Sequence, residues 1–292
     1  MMSFIQQLIN GLSLGSIYAL LALGYTMVYG IIKLINFAHG EVYMLGAFIG
    51  YYVINTFQFG LFGTLLTSMV LGAIIGMLIE FFAYRPLRKS TRIAALITAI
   101  GVSFLIQSVT IYFIGADTRP FPQIIDNTTY TLGELSISKI ELLIIFISIV
   151  LMLVLQFIVK KTKMGRGMRA VSVDPAAAQL MGINVNHTIS FTFAIGSALA
   201  AAGGVLIGLY YNSIDPMMGV APGLKAFIAA VFGGIGIIPG AALGGFMIGI
   251  IETLVSALGF TAYRDAVVYG ILIIILLVKP TGLLGKNTKE KV

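Results

Sequence analysis

The chain has no cysteine, which excludes disulfides, thiol chemistry and thiolate-ligated metal. Histidine is almost as scarce. His39 and His187 are the two copies, and their distance in sequence argues against a metal site. Charged residues make up 10% of the 292, against about a quarter in a soluble domain. A phosphate loop of the form G-x-x-x-x-G-K-[ST] is missing. The nearest string, Gly282 to Asn287, fails in spacing and in its final residue. No polar stretch is long enough for an ATPase or a ligand-binding domain. Residues 1–32 hold no Lys or Arg, so a signal peptide's basic start is lacking, and the first apolar run reads as a span that stays in place.

What is present is mostly apolar. Hydrophobic residues are 59% of the chain, which predicts an all-α polytopic membrane protein. The apolar runs fall at 5–29, 41–57, 61–84, 93–114, 140–159, 188–211, 225–236, 241–258 and 266–278. They predict a single transmembrane domain over 1–292 with nominally nine crossings. Two stretches are irregular. The segments near 30–41 and 223–240 are short or interrupted, and one of them could be a re-entrant half-helix, which would leave eight. A crossing needs about 20 apolar residues, and backbone broken at membrane depth must be buried in protein or line a wet cavity.

The net charge of +7 does not point to nucleic acid. Thirteen of the eighteen Lys and Arg lie in three clusters beside apolar runs: Arg85, Arg88, Lys89 and Arg92; Lys160, Lys161, Lys163, Arg166 and Arg169; and Lys279, Lys286, Lys289 and Lys291. By the positive-inside rule these loops are cytoplasmic. The acidic, proline-bearing loops at 115–138 and 212–222 then lie outside, with the N-terminus outside and the C-terminus in the cytoplasm. The 34 glycines suit close helix packing in lipid.

Two regions carry candidate function. The stretch MGRGMRAVSVDPAAAQLMGIN at 164–184 contains a short helix with both ends marked. Asp174 can cap it, Pro175 fits its first position, and Gly182 can take the left-handed stop. Such a helix on the cytoplasmic face can be gripped by another protein, or can merely join two spans. The second region is the pair of interrupted stretches at 30–41 and 219–240, since paired broken helices point to a substrate route. Asn36, His39 and Glu41 form either a polar gate or a capped helix start in which Lys33 pairs with Glu41. Glu252, deep in an apolar run, is costly unless paired or wet; Lys225 and Arg264 are its candidate partners. Glu80 is expected to reach the membrane surface, and Gln107 to make an interhelical hydrogen bond.

Several strings together resemble a known family. NGLSLGSIYALLALGYTMVYGIIKLINFAHGEVYMLGA at 10–47 is similar to the opening of the permease subunits of branched-chain amino acid ABC importers, of the H type. MRAVSVDPAAAQLMGINVN at 168–186 resembles that family's cytoplasmic loop, AFIAAVFGGIGIIPGAALGGFMIGIIETL at 226–254 resembles its tail, and VKPTGLLG at 278–285 its end. The likeness covers nearly the whole chain. Ser172 stands where a second acidic residue would be nearby, which bears only on contact strength.

The resemblance implies an ABC-importer permease fold in a bacterial inner membrane. It implies a homologous second permease, two cytoplasmic ATPase subunits that bind the ATP and Mg, and an extracytoplasmic binding protein that delivers leucine, isoleucine or valine. No cofactor is expected in this chain, which would be a transport subunit and not an enzyme. Arg169, Asp174, Pro175, Ala177, Ala178, Leu180, Gly182 and Ile183 would couple it to the ATPases. Asn36, His39, Glu41, Lys225 and Glu252 are the path or gate candidates. Urea or short amides are the alternative cargo. A stand-alone secondary transporter using Glu41 and Glu252, or a passive channel, would work without an ATPase.

Overall fold

The computed structural model describes residues 2–88, 90–133 and 135–285. Of the charges noted above, Lys89, Lys286, Lys289 and Lys291 lie outside the described residues, as does Glu134 of the 115–138 loop. The chain forms α1 (Met2–Ile32), α2 (His39–Phe57), α3 (Leu61–Ile79) continued by a π-helical turn (Glu80–Tyr84), and α4 (Arg92–Ile114). After a segment with β1 (Arg119–Pro120), β2 (Thr129–Leu132) and β3 (Leu135–Ser138) come α5 (Lys139–Lys161), α6 (Lys163–Val173), α7 (Pro175–Leu180) and α8 (Val185–Tyr211). β4 (Ser213–Ile214), α9 (Val220–Gly233), α10 (Ile238–Ala257) and α11 (Arg264–Val278) complete it.

Seven of these helices are long and apolar enough to cross a membrane, counted among the described residues. α2 and α9 lie outside that set, and each follows a non-helical segment. α9 has 14 residues, about 21 Å of helix, too short to span the roughly 30 Å hydrocarbon core alone.

The two ends of the bundle differ in charge. At one end Gln6 of α1 exchanges hydrogen bonds with the backbone of Ser136, at 2.7 and 2.9 Å. The same end holds the β2–β3 hairpin and the antiparallel β1–β4 pair, in which Arg119 stands opposite Ile214. The two acidic loops are thus stitched to each other. The opposite, basic end holds Arg85, Arg88 and α6. Expectation and structure differ at 115–138, read as a plain loop but folded partly as a hairpin, and at Lys163–Val173, which is a helix. That helix was hidden because Gly165 and Gly167 lower helix propensity. Both glycines are buried, and a Cβ on Gly165 would overlap the carbonyls of Ile158 and Val159. Gly165 therefore reports close contact and not a loop.

α1 and α8 are covered around most of their circumference, while α4, α5 and α11 expose most of theirs. The exposed faces carry large apolar side chains such as Phe104, Phe113, Phe146 and Leu277, as lipid or another membrane chain requires. Packing at the centre is backbone against backbone. On the α1–α10 contact a Cβ on Gly249 would overlap Gly15, and one on Gly15 would stand 2.8 Å from the Cα of Phe246. Helices in lipid gain no hydrophobic drive from each other, so close van der Waals approach holds them.

Gly249→Val should separate α1 from α10 and destabilise the protein by about 1–3 kcal/mol or more, the usual cost of overpacking. Gly101→Val, at a glycine with no neighbour within 4 Å, should leave the melting temperature in detergent unchanged. Equal melting of both variants would refute the contact.

Candidate functional site

At the basic end, α5, α6, α7 and α8 are joined by capped corners. Thr162 ends α5 and caps α6, accepting from the Gly165 N–H at 3.0 Å. Asp174 ends α6 and caps α7, its carboxylate accepting from Ala176 at 2.8 Å and Ala177 at 3.0 Å. Pro175 occupies the first turn of α7, where no N–H is needed. Gly182 takes φ +82°. Its N–H bonds to Gln179 and that of Ile183 to Ala178, both at 3.0 Å, which satisfies the last carbonyls of α7 in a Schellman turn. Asn184 then caps α8, accepting from the His187 N–H at 3.0 Å.

The predicted helix and its three signals are all present. The residues named there divide into two sets. Arg169 donates to the Val159 carbonyl at the end of α5. Ala178 is buried and Ile183 half-buried, so these hold the helix in place. Asp174, Pro175, Ala177, Leu180 and Gly182 are exposed. Leu180 is 89% exposed, beside Met181 and Val173, an apolar tip on the charged end of the protein.

In the bundle interior, Lys225 of α9 lies 2.8 Å from Glu252 of α10 and 2.8 Å from Asp265 of α11. Glu252 also accepts from the Tyr18 hydroxyl at 2.9 Å and sits 3.5 Å from Arg264. Two cations thus face two anions, and the Lys225 and Glu252 side chains are each 3% exposed. Both expected partners of Glu252 are therefore present. Tyr18 carried no sequence signal. Asp265, beside Arg264 at the start of an apolar run, was legible as a charge but not as a partner.

Asn36, His39 and Glu41 do not form one girdle. Asn36 accepts from the Tyr84 hydroxyl at 3.0 Å. The His39 ring meets Tyr25 edge-on at 4.7 Å in the space left by Gly24, where a Cβ would overlap it. Glu41 accepts from Ser103 at 3.0 Å and Gln107 at 2.8 Å, giving Gln107 the interhelical bond expected of it. The capped helix start is corrected as well: α2 has no side-chain cap. Lys33 is exposed, with a left-handed φ of 55° that ends α1; it does not pair with Glu41. Glu80 is corrected likewise. It is fully buried and bonds Arg88, Arg85 at 3.4 Å and Ser190 at 2.6 Å, because it continues the stripe of Gly72 and Gly76 that packs on α8.

Lys225→Met should leave Glu252 short of a cation and destabilise the protein by about 3–5 kcal/mol, as for other broken buried pairs. Lys225→Met with Glu252→Gln should recover much of the loss, since a neutral pair needs no counter-charge. Thermal denaturation in detergent reads both; a double variant as weak as the sum of the single ones would refute the pairing.

Comparison with known proteins bears on the whole chain. Residues 7–276 match the family described as branched-chain amino acid transport system / permease component. The chain is 44% identical to the high-affinity branched-chain amino acid transport system permease protein LivH of Escherichia coli (strain K12), over 99% of this chain and 98% of the relative. It is 41% identical to BraD of Pseudomonas aeruginosa, a permease protein of the same description, with the same coverage. It is 26% identical to the ribose import permease protein RbsC of Haemophilus influenzae, over 93% of this chain and 84% of the relative. With the apolar helical bundle, matches of this length carry a plain conclusion: the chain belongs to the branched-chain amino acid transport system / permease component family.

Proposed function

We propose that this chain is the transmembrane permease subunit of an ATP-driven importer that moves leucine, isoleucine or valine across a bacterial inner membrane. The observation that carries the reading is the likeness, over nearly all of both chains, to permeases named for that cargo. A homologous second permease completes the pore. Two ATPase subunits supply ATP and Mg binding, and an extracytoplasmic protein delivers the amino acid. This chain performs no hydrolysis and holds no cofactor of its own.

Orientation follows from charge. The basic end faces the cytoplasm, and the stitched acidic loops at 115–138 and 212–222 face outward, with the N-terminus among them. The loop at 164–184 is the coupling element. Arg169, Ala178 and Ile183 fix it to the bundle, while Asp174, Pro175, Ala177, Leu180 and Gly182 present it. An apolar tip held out from a charged surface suits a protein partner. ATP-driven closure of the ATPases presses on α7 and, through α6 and α8, reorganises the path around the broken helices, with Asn36, His39 and Glu41 on one side and the Lys225–Glu252 pair on the other.

Labelled leucine should enter proteoliposomes holding this chain, its partner permease and both ATPases only when ATP and the binding protein are present, and unlabelled urea should not compete. Uptake without ATPases would mean a secondary carrier, and competition by urea would move the cargo to short amides.

Because the natural chain lacks cysteine, Leu180→Cys gives a single reporter. It should react with an impermeant maleimide in permeabilised cells but not in intact spheroplasts, and bound ATPases should slow the reaction. Labelling in intact spheroplasts would invert the orientation, and a rate indifferent to the ATPases would remove α7 as their docking point.

A further inference from the structure

The starts of α2 and α9 meet inside the bundle. Gly40 packs on Gly219, where a Cβ on either would overlap the other's carbonyl, and a Cβ on Gly223 would lie 3.1 Å from the Gly40 Cα. The contact lies against Gly24 of α1 through His39, eight residues or about 12 Å before the helix ends at Ile32, well inside a hydrocarbon core of roughly 30 Å. Beside it opens a cleft of about 260 Å³ lined by Tyr25, Phe37, Glu41, Phe104, Val220 and Leu224, among others. That is near the lower limit of small-ligand sites, about 300 Å³. Its rim is lateral: Phe104 is 62% and Val220 42% exposed.

The polar groups of this cleft are incomplete. Glu41 is 2% exposed. Its Oε1 takes both donors, Ser103 and Gln107, while its Oε2 is buried with no hydrogen-bond partner. No Lys, Arg or His ion pair with Glu41 occurs among the described residues, although every other membrane-embedded carboxylate described above is paired. An intramembrane carboxylate left in this state marks a functional site. Beside Glu41, at the same cleft, α9 is capped at Gly219. The N–H of Gly219, which lines the cleft, has no acceptor among the described residues, and Pro222 has no N–H to offer. The positive end of the α9 dipole therefore borders the same small apolar space as the Glu41 carboxylate.

We infer that this cleft is a transient binding site for an aliphatic amino acid in transit, with its α-ammonium on Oε2 of Glu41, its carboxylate at the start of α9, and its side chain against Tyr25, Phe37 and Phe104. A zwitterion with an apolar tail matches all three features together: one bare acceptor, one bare donor end, and apolar walls. The site has few polar contacts, as a passage needs, so binding is weak enough to release. The inference rests on the importer reading above and adds the place and the chemistry of recognition within this chain.

The test uses the full complex of permeases and ATPases in nanodiscs, without the binding protein. Val220→Cys and, separately, Leu224→Cys report on the cleft through their rate of reaction with a small methanethiosulfonate, read on this chain by mass. Millimolar leucine should slow the reaction severalfold at both positions. 4-Methylpentanoate, which is leucine without its ammonium, and urea should not. Adding Glu41→Gln should raise the half-protecting leucine concentration by about tenfold or more, as expected for loss of one charge-assisted hydrogen bond. Protection equal with 4-methylpentanoate overturns the site. So does protection unchanged by Glu41→Gln, or none at all in cysteine variants that still import leucine with ATP. Absence of ATP-dependent leucine uptake by the unsubstituted complex overturns the importer reading itself.

Discussion

Backbone that leaves the helix inside a membrane must be enclosed by protein, and this constraint governs the bundle. Two segments break it, the six residues before α2 and the residues between β4 and α9. They lie against each other because Gly40, Gly219 and Gly223 carry no side chains to hold them apart. The enclosure is completed by α1, α8 and α10, which can approach closely only through their own small residues. Gly46 of α2 rests on the backbone of Ala201 of α8, and Gly245 of α10 on that of Ala19 of α1. The long helices α1 and α8 are buried because they wall in the breaks; α4, α5 and α11 form the outside.

Charge follows the same economy of enclosure. Glu80 is met by Arg85 and Arg88, and Glu252 by Lys225, with Arg264 and Asp265 completing a neutral set. The first set ties helices distant in sequence, the end of α3 to the start of α8 through Ser190 and Asn186; the second ties α9 to α10 and α11 and, through Tyr18, to α1. Glu41 differs in kind, since its neighbours are neutral donors and one oxygen is left bare. The breaks, the glycine contact and this carboxylate thus occupy one place in the molecule.

Much of this was legible in the sequence. Apolar run length marked the seven long spans, and the basic clusters marked one end of the bundle, because the bilayer imposes both. The α7 helix could be read residue by residue, since Asp174, Pro175 and Gly182 act locally on their own backbone. Glu252 could be matched to Lys225 and Arg264 because a buried carboxylate needs a cation and few were near. What was hidden depends on tertiary placement. The NFAHGE string reads as one polar group, yet Asn36, His39 and Glu41 point to α3's end, α1 and α4 respectively, and nothing in six consecutive residues encodes that divergence. The Glu80 contacts depend on which face of α3 meets α8, the face that also carries Gly72 and Gly76. Tyr18 and Ser103 sit in apolar runs without a pattern to single them out.

The corners from α5 to α8 have a mechanical consequence. Thr162 serves both helices that meet at it, as does Asp174, and the Schellman turn at Gly182 passes into the Asn184 cap with one residue between. Four rigid rods are thereby hinged with almost no slack, and Arg169 braces the first joint against the end of α5. A displacement applied at the tip has no compliant segment in which to dissipate. Its route would lead through the capped joints to α5 and α8, one on the outer wall and the other at the centre of the bundle.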